Sequence, residues 1–180
     1  MGPNNKYLVG LLMVLAGTLS ACQRRPEGWS PVLEETSTAF LEVETQRVLE
    51  RVRAAREEVV TDPSRAEEIL LEAERSLEHL DAYYLPLLQA RERAYNAYRS
   101  FFLNDHGRVI QELAHIEGLL ESMAENATGS LFQEIESLAE VLADARVAVE
   151  AGEEEGRPAL EALARALNQA ALKGELVLQG

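Results

Sequence analysis

The sequence contains a single cysteine, Cys22, among its 180 residues. One cysteine excludes an internal disulfide framework and a metal site built from several thiolates. It also excludes the paired-cysteine motif that attaches haem covalently. The role of this residue is therefore indicated by its position in the chain.

Proline and glycine are also scarce, at six and eleven residues, whereas Leu, Ala, Glu and Arg are abundant. These four residue types favour helices, so the composition predicts an all-α fold. There is no Gly-x-Ser-x-Gly nucleophile motif and no glycine-rich phosphate loop. We therefore expect a protein that is not an enzyme and that carries no cofactor.

Positive charge is in the minority, and the formal net charge is -14. Nucleic-acid binding needs clustered Lys and Arg, so this balance argues against a nucleic-acid partner. An acidic surface is also repelled by anionic lipid, and charge would not hold the protein on a membrane.

The first 22 residues have the pattern of an export signal. A polar start that ends at Lys6 is followed by an apolar stretch of 13 residues, 7–19, which is too short to cross a bilayer comfortably. Leu19-Ser20-Ala21-Cys22 then resembles the lipobox of bacterial lipoproteins. The segment 1–21 is accordingly interpreted as a lipoprotein signal peptide.

This resemblance implies cleavage between Ala21 and Cys22, with acyl chains on Cys22 that anchor the protein on the extracytoplasmic side. In Gram-negative lipoproteins an Asp after the cysteine favours the inner membrane, so Gln23 implies the outer membrane, facing the periplasm. Residues 22–30 comprise the lipidated cysteine and a tether, which spans about 25–30 Å at most. An ordinary secretory leader with an incidental cysteine is the alternative.

Residues 31–180 are expected to form one helical domain, because apolar residues recur with alternating spacings of three and four. Three such stripes are present: Leu41, Thr45, Val48, Val52, Ala55 and Val59; Val109, Leu113, Ile116, Leu120 and Met123; and Leu131, Ile135, Leu138, Leu142, Ala145 and Val149.

Turn and cap residues divide this domain into six amphipathic helices. Pro86 predicts a break or kink, and Lys173-Gly174 predicts the C-terminal cap of the last helix. The helices are expected to pair as three antiparallel hairpins, either in a bundle or in a short stack of hairpins. Their turns are predicted at 61–63, 104–107 and 151–156.

Two of the hairpins also align as a degenerate repeat at an offset of 43 residues. The alignment matches Ala66, Leu70, Ala73 and Leu77 with Val109, Leu113, Ile116 and Leu120. Any two helices with a heptad pattern would align in this way, which is the alternative. The segment Tyr84-Leu85-Pro86-Leu87 resembles the YfdX-like periplasmic helical proteins, a likeness of four residues that implies no function.

Six of the ten aromatic residues fall between residues 83 and 102. Tyr84, Tyr95, Tyr98 and Phe102 are candidates for a face that binds an apolar ligand or a partner helix. The alternative is that this segment is the central core helix, with tyrosine hydroxyls at its edge.

Metal binding has little support in the sequence. Glu112 and His115 form one Glu-x-x-His motif, whereas di-iron bundles use two of them. His79 and His106 have no such partner, so no metal site is expected.

The main hypothesis is a lipid-anchored interaction or scaffold module of the cell envelope, with an envelope protein as partner. The alternative is sequestration of a small ligand or a metal by the aromatic helix 83–102. The oligomeric state is left open.

Overall fold

The computed structural model describes the backbone of residues 31–179 and the side chains of residues 37–174. This part of the chain is helical apart from short turns, which confirms the all-α prediction. The helices are α1 (Pro31–Glu58), α2 (Pro63–His79), α3 (Leu85–Phe102), α4 (His106–Asn126), α5 (Ser130–Ala151) and α6 (Glu153–Gln179).

Side-chain caps explain where two of the helices begin. The Asp62 carboxylate accepts a hydrogen bond from the Arg65 backbone N–H at 3.0 Å, and Pro63 occupies the first helical position, where its missing N–H costs nothing. The Asp105 carboxylate likewise accepts from the Arg108 backbone N–H at 3.1 Å. Both turns lie where the sequence predicts them.

A single glycine separates α5 from α6. Gly152 has a φ of 138°, a backbone conformation that residues with a Cβ rarely adopt. The chain therefore reverses direction between Ala151 and Glu153 with one residue outside the two helices.

Of the break or kink predicted near Pro86, the break is wrong, but the helix is irregular just before this residue. A π-helical turn, Leu80–Tyr84, joins α2 directly to α3, and the Leu85 N–H bonds to the Leu80 carbonyl, five residues back. The wider turn accommodates a proline that lacks an N–H and whose ring crowds the carbonyl four residues earlier. Because α2 and α3 form one continuous helix, the described chain has five helices rather than six.

Helices α3 to α6 form a four-helix bundle in which each helix is a neighbour of the next and α6 closes the ring against α3. Of the two arrangements left open, the structure therefore has the bundle. Its core contains every residue of the α4 stripe and all of the α5 stripe except Leu131, which is half-buried. These residues lie within the compact unit Thr38–Gly180.

Helix α1 pairs with α2 in an antiparallel hairpin. The Arg51 guanidinium donates to the Ser76 hydroxyl at 2.8 Å and lies 3.8 Å from the Glu72 carboxylate. On α2, only Ala66 and Ala73 are fully buried.

The predicted stripe of α1 is wrong in part. Val48 and Ala55 are buried, but Thr45, Val52 and Val59 are exposed. The buried face is instead completed by Phe40 and by a charged residue, Glu44, whose carboxylate lies 2.7 Å from Arg47. Apolar residues occupy two adjoining faces of α1, one buried and one exposed. The stripe predicted from the heptad spacing therefore includes residues from both faces.

The predicted cap at Lys173-Gly174 is also wrong, because α6 continues to Gln179. A Cβ atom at Gly174 would lie 3.3 Å from Cδ2 of Tyr84 and 3.4 Å from Cε1 of Tyr83. The glycine at this position therefore lets α6 pass close to two aromatic rings.

Candidate functional site

The residues with the clearest sequence signal lie outside the described part of the chain. Ala21 and Cys22, the predicted cleavage and lipidation site, belong to the leader, and residues 22–30 form the expected tether. Lipidation, the signal peptide and the location at a membrane therefore stay predictions.

Tyr98 and Phe102 come together at the seam between α3 and α6. The Tyr98 hydroxyl donates to the Glu161 carboxylate at 2.8 Å, and the rings of Tyr98 and Phe102 meet edge to face with centroids 4.9 Å apart. The Arg157 guanidinium lies 4.9 Å from the centre of the Phe102 ring and 3.6 Å from Glu161. Burial, followed by the hydrogen bond to Glu161, raises the pKa of Tyr98.

Tyr84 lies elsewhere, in a small cluster with Leu80 and Phe40. Its side chain is completely buried, and its ring meets that of Phe40 edge to face at 5.0 Å. Tyr95 is half-buried. The four candidate aromatics therefore do not form one open face: Tyr84 is buried in the π turn before α3, whereas Tyr98 and Phe102 meet near the end of α3.

Tyr83, which was not singled out in the sequence, links α5 and α6 at one end of the bundle. Its hydroxyl donates to the Glu134 carboxylate at 3.4 Å, and Lys173 lies 2.8 Å from the other oxygen of that carboxylate. Burial is the main cause that raises the pKa of Tyr83, and the negative charge of Glu134 adds to it.

His79 lies at the same end of the bundle as Tyr83. Its ring centroid lies 5.3 Å from that of Tyr83, and its Nε2 atom is buried with no hydrogen-bond partner among the described residues. Burial lowers the pKa of His79 below its ordinary value of 6.5. The unfolded chain therefore binds a proton here more readily than the folded chain does.

We expect the free energy of unfolding to decrease as the pH falls through about 6.5, because protonation of His79 favours the unfolded state. Urea denaturation at about pH 7.5 and about pH 5 measures this effect. The His79→Gln variant should lose less stability over that interval than the parent protein, whereas His115→Gln, at an exposed position on α4, should match the parent. An unaltered pH dependence in His79→Gln would contradict the assignment.

A surface groove between α4 and α5 was also not predicted. It has a volume of about 240 Å³, and we refer to it as the α4–α5 groove. Leu120, Ile135 and Leu142, all buried, form its floor. Its remaining lining residues are Glu117, Glu121, Ala124, Phe132, Glu136, Ala139, Ala143 and Arg146. The groove exists because α4 and α5 approach each other less closely than the helices of the α3–α4 and α5–α6 pairs do.

The rim of the groove carries an excess of negative charge. Arg146 forms an ion pair with Glu117 at 2.7 Å, and both side chains are well exposed. Glu121 and Glu136 add two further carboxylates, so the lining holds three acidic side chains and one basic one. An apolar floor between acidic edges is a surface on which an amphipathic segment with basic flanks could lie.

In the candidate metal motif Glu112-x-x-His115, the glutamate is engaged in ion pairs with two arginines. Glu112 is buried, and its carboxylate lies 3.2 Å from Arg93 and 3.5 Å from Arg108. Among the described residues, no group of three or more His, Cys, Asp or Glu side chains is placed to hold a metal ion.

Within the same part of the chain, none of the helices combines the length and the apolar character needed to cross a membrane. No family model, curated protein or solved structure matches this chain.

Proposed function

We propose that this protein is a lipid-anchored helical interaction module on the extracytoplasmic side of a bacterial membrane. The observation that carries the proposal is the sequence Leu19-Ser20-Ala21-Cys22, placed directly after a short apolar leader. Several acyl chains on one cysteine give stable anchoring where a single chain would be marginal. Gln23 favours the outer membrane in a Gram-negative cell, with the helical domain in the periplasm.

The helical domain supports a role in binding rather than in catalysis. Its polar side chains in the bundle, such as Glu112, Glu134 and Glu161, are engaged in ion pairs or hydrogen bonds between helices. The surface offers apolar side chains instead, in the α4–α5 groove and on the α1–α2 hairpin, where Leu70 and Leu77 are about half exposed. Apolar surface of this kind is typical of sites that bind other proteins.

Sequestration of a small ligand by the aromatic helix is the second candidate, and the described contacts favour it less. Tyr84 is buried among neighbouring side chains, and the Tyr98 hydroxyl is engaged with Glu161. A ligand at either position would have to displace packing within the bundle.

The Cys22→Ser variant tests the anchor. A serine oxygen does not form the thioether that carries the lipid, so the variant should move from the membrane fraction to the soluble fraction of the cell envelope. Immunoblots of fractionated cells measure this shift, with Ser20→Ala as a control that keeps a small residue before the cysteine. If Cys22→Ser remained in the membrane fraction to the same extent as the parent, the proposal would be wrong.

A further inference from the structure

The α4–α5 groove is as long as a short helix. Its lining residues on α5 run from Phe132 to Arg146, a length of about 21 Å at 1.5 Å per residue. They recur at spacings of three and four residues, so they form one continuous strip along the helix. A partner helix of about 14 residues would match this strip in length.

The shape of the groove favours a helix over an isolated side chain. Ala124, Ala139 and Ala143 have short side chains, so a second backbone can approach the groove closely. Phe132, which is 38% exposed, stands at one end of the strip and would be covered by such a partner. The exposed apolar side chains of Phe132, Ala139 and Ala143 would supply apolar contact to the partner at several points along this strip.

The rim charges define the chemistry of the partner. Glu117 is already paired with Arg146, which leaves the charges of Glu121 and Glu136 to be matched by the partner. Lys or Arg residues along both flanks of a docked helix would lie near these carboxylates. A second copy of this chain is a poor match, because the chain has a net charge of -14 and like charges would face each other across the groove.

We infer that the α4–α5 groove binds an amphipathic helix of another protein, with apolar residues toward the floor and Lys or Arg on both flanks. This inference rests on the proposed role as an interaction module and names the chemistry of the partner. It does not depend on the lipid anchor, since groove binding is measured on purified protein.

Binding of a synthetic peptide to the full chain in detergent tests the inference. The probe is a fluorescein-labelled helix of about 16 residues, with Leu at positions i, i+3, i+4 and i+7 and Lys elsewhere. A second peptide has the same composition in an order without an apolar face. Fluorescence anisotropy should show binding of the amphipathic peptide at least about tenfold tighter than of the reordered one, because only the first can cover the groove floor.

Two pairs of variants locate the binding. Ala139→Trp fills the groove and should weaken binding about tenfold or more, whereas Ala114→Trp places the same side chain at an exposed position on α4 outside the groove. Glu121→Gln with Glu136→Gln removes the rim charge and should weaken binding about fivefold at low salt. Glu125→Gln with Glu140→Gln removes as much charge from exposed positions on the same helices and should have little effect.

Equal losses in the two charge variants would show attraction to an acidic surface in general and would overturn the inference. Equal binding of the two peptides would overturn it as well. Sedimentation of the full chain gives the remaining outcome: a dimer that Ala139→Trp dissociates would assign the groove to a second copy of this chain. None of these results bears on the fractionation of Cys22→Ser, so a failure of the inference can be told apart from a failure of the proposed lipid anchor.

Discussion

The Leu113→Ala variant is expected to lower the free energy of unfolding by about 3 kcal/mol. Leu113 lies on α4 at the centre of the bundle and is 1% exposed. Removing its side chain loses apolar burial and leaves a cavity that the surrounding core residues fill only in part. Chemical denaturation monitored by circular dichroism gives the value directly.

Leu70→Ala provides the matched control. The repeat in the sequence aligns Leu70 with Leu113, and equivalent positions would give equal losses. In the structure Leu70 is 47% exposed on α2, so its replacement should cost less than about 1 kcal/mol. Similar losses in the two variants would contradict the structural difference between the α1–α2 hairpin and the bundle.

The Gly156→Ala variant is expected to lower the free energy of unfolding by about 1–2 kcal/mol, although alanine is the better helix former. A Cβ atom at this position in α6 would lie 2.7 Å from Cζ of Phe101 and 3.2 Å from Cα of Val149. Phe101 on α3 is buried and its ring also packs against His106, so it has little room to move aside, and Val149 on α5 would have to shift as well. Thermal and urea denaturation measure the loss.

Gly118→Ala is the control with the opposite sign. A Cβ atom at Gly118 on α4 would meet no other atom within 4 Å. Alanine there should raise the free energy of unfolding by about 0.5–1 kcal/mol, because it restricts the unfolded chain and favours the helix. If both glycine variants gained stability, the close approach of α6 to Phe101 would be refuted.

The sequence predicts the bundle helices well and the first helix poorly, and the difference has a physical cause. On α4 the residues at the seven-residue spacing are all apolar, and the same spacing selects its buried face. On α1 the apolar residues lie on two faces, and the buried face includes Glu44, which no hydrophobic pattern would select. Its ion pair with Arg47 has the i,i+3 spacing of a local helix pair, but the burial of Glu44 depends on neighbours from other parts of the fold, which sequence spacing does not specify.

Prediction of the candidate sites from the sequence is limited for the same reason. Aromatic clustering drew attention to residues 83–102, but whether Tyr84 or Tyr98 is open to a ligand depends on Phe40 and Glu161, which are distant in sequence. The α4–α5 groove arises from the spacing between two helices and has no motif of its own. A hint was available in Ala139 and Ala143, small residues beside the α5 stripe. The lipobox, in contrast, is a local sequence feature that can be recognised without any fold.

The π-helical turn at Leu80–Tyr84 also sets the direction in which the α1–α2 hairpin faces. Along the continuous helix, the buried residues Ala73, Leu80, Tyr83 and Leu87 are spaced by seven, three and four residues, as in one heptad pattern. A π turn takes up one extra residue, which corresponds to about 100° of rotation about the helix axis. One unbroken heptad pattern therefore serves α1 before the turn and the four-helix bundle after it. The one extra residue in the π turn, rather than the residue types in it, therefore rotates the packing face of α2 relative to that of α3.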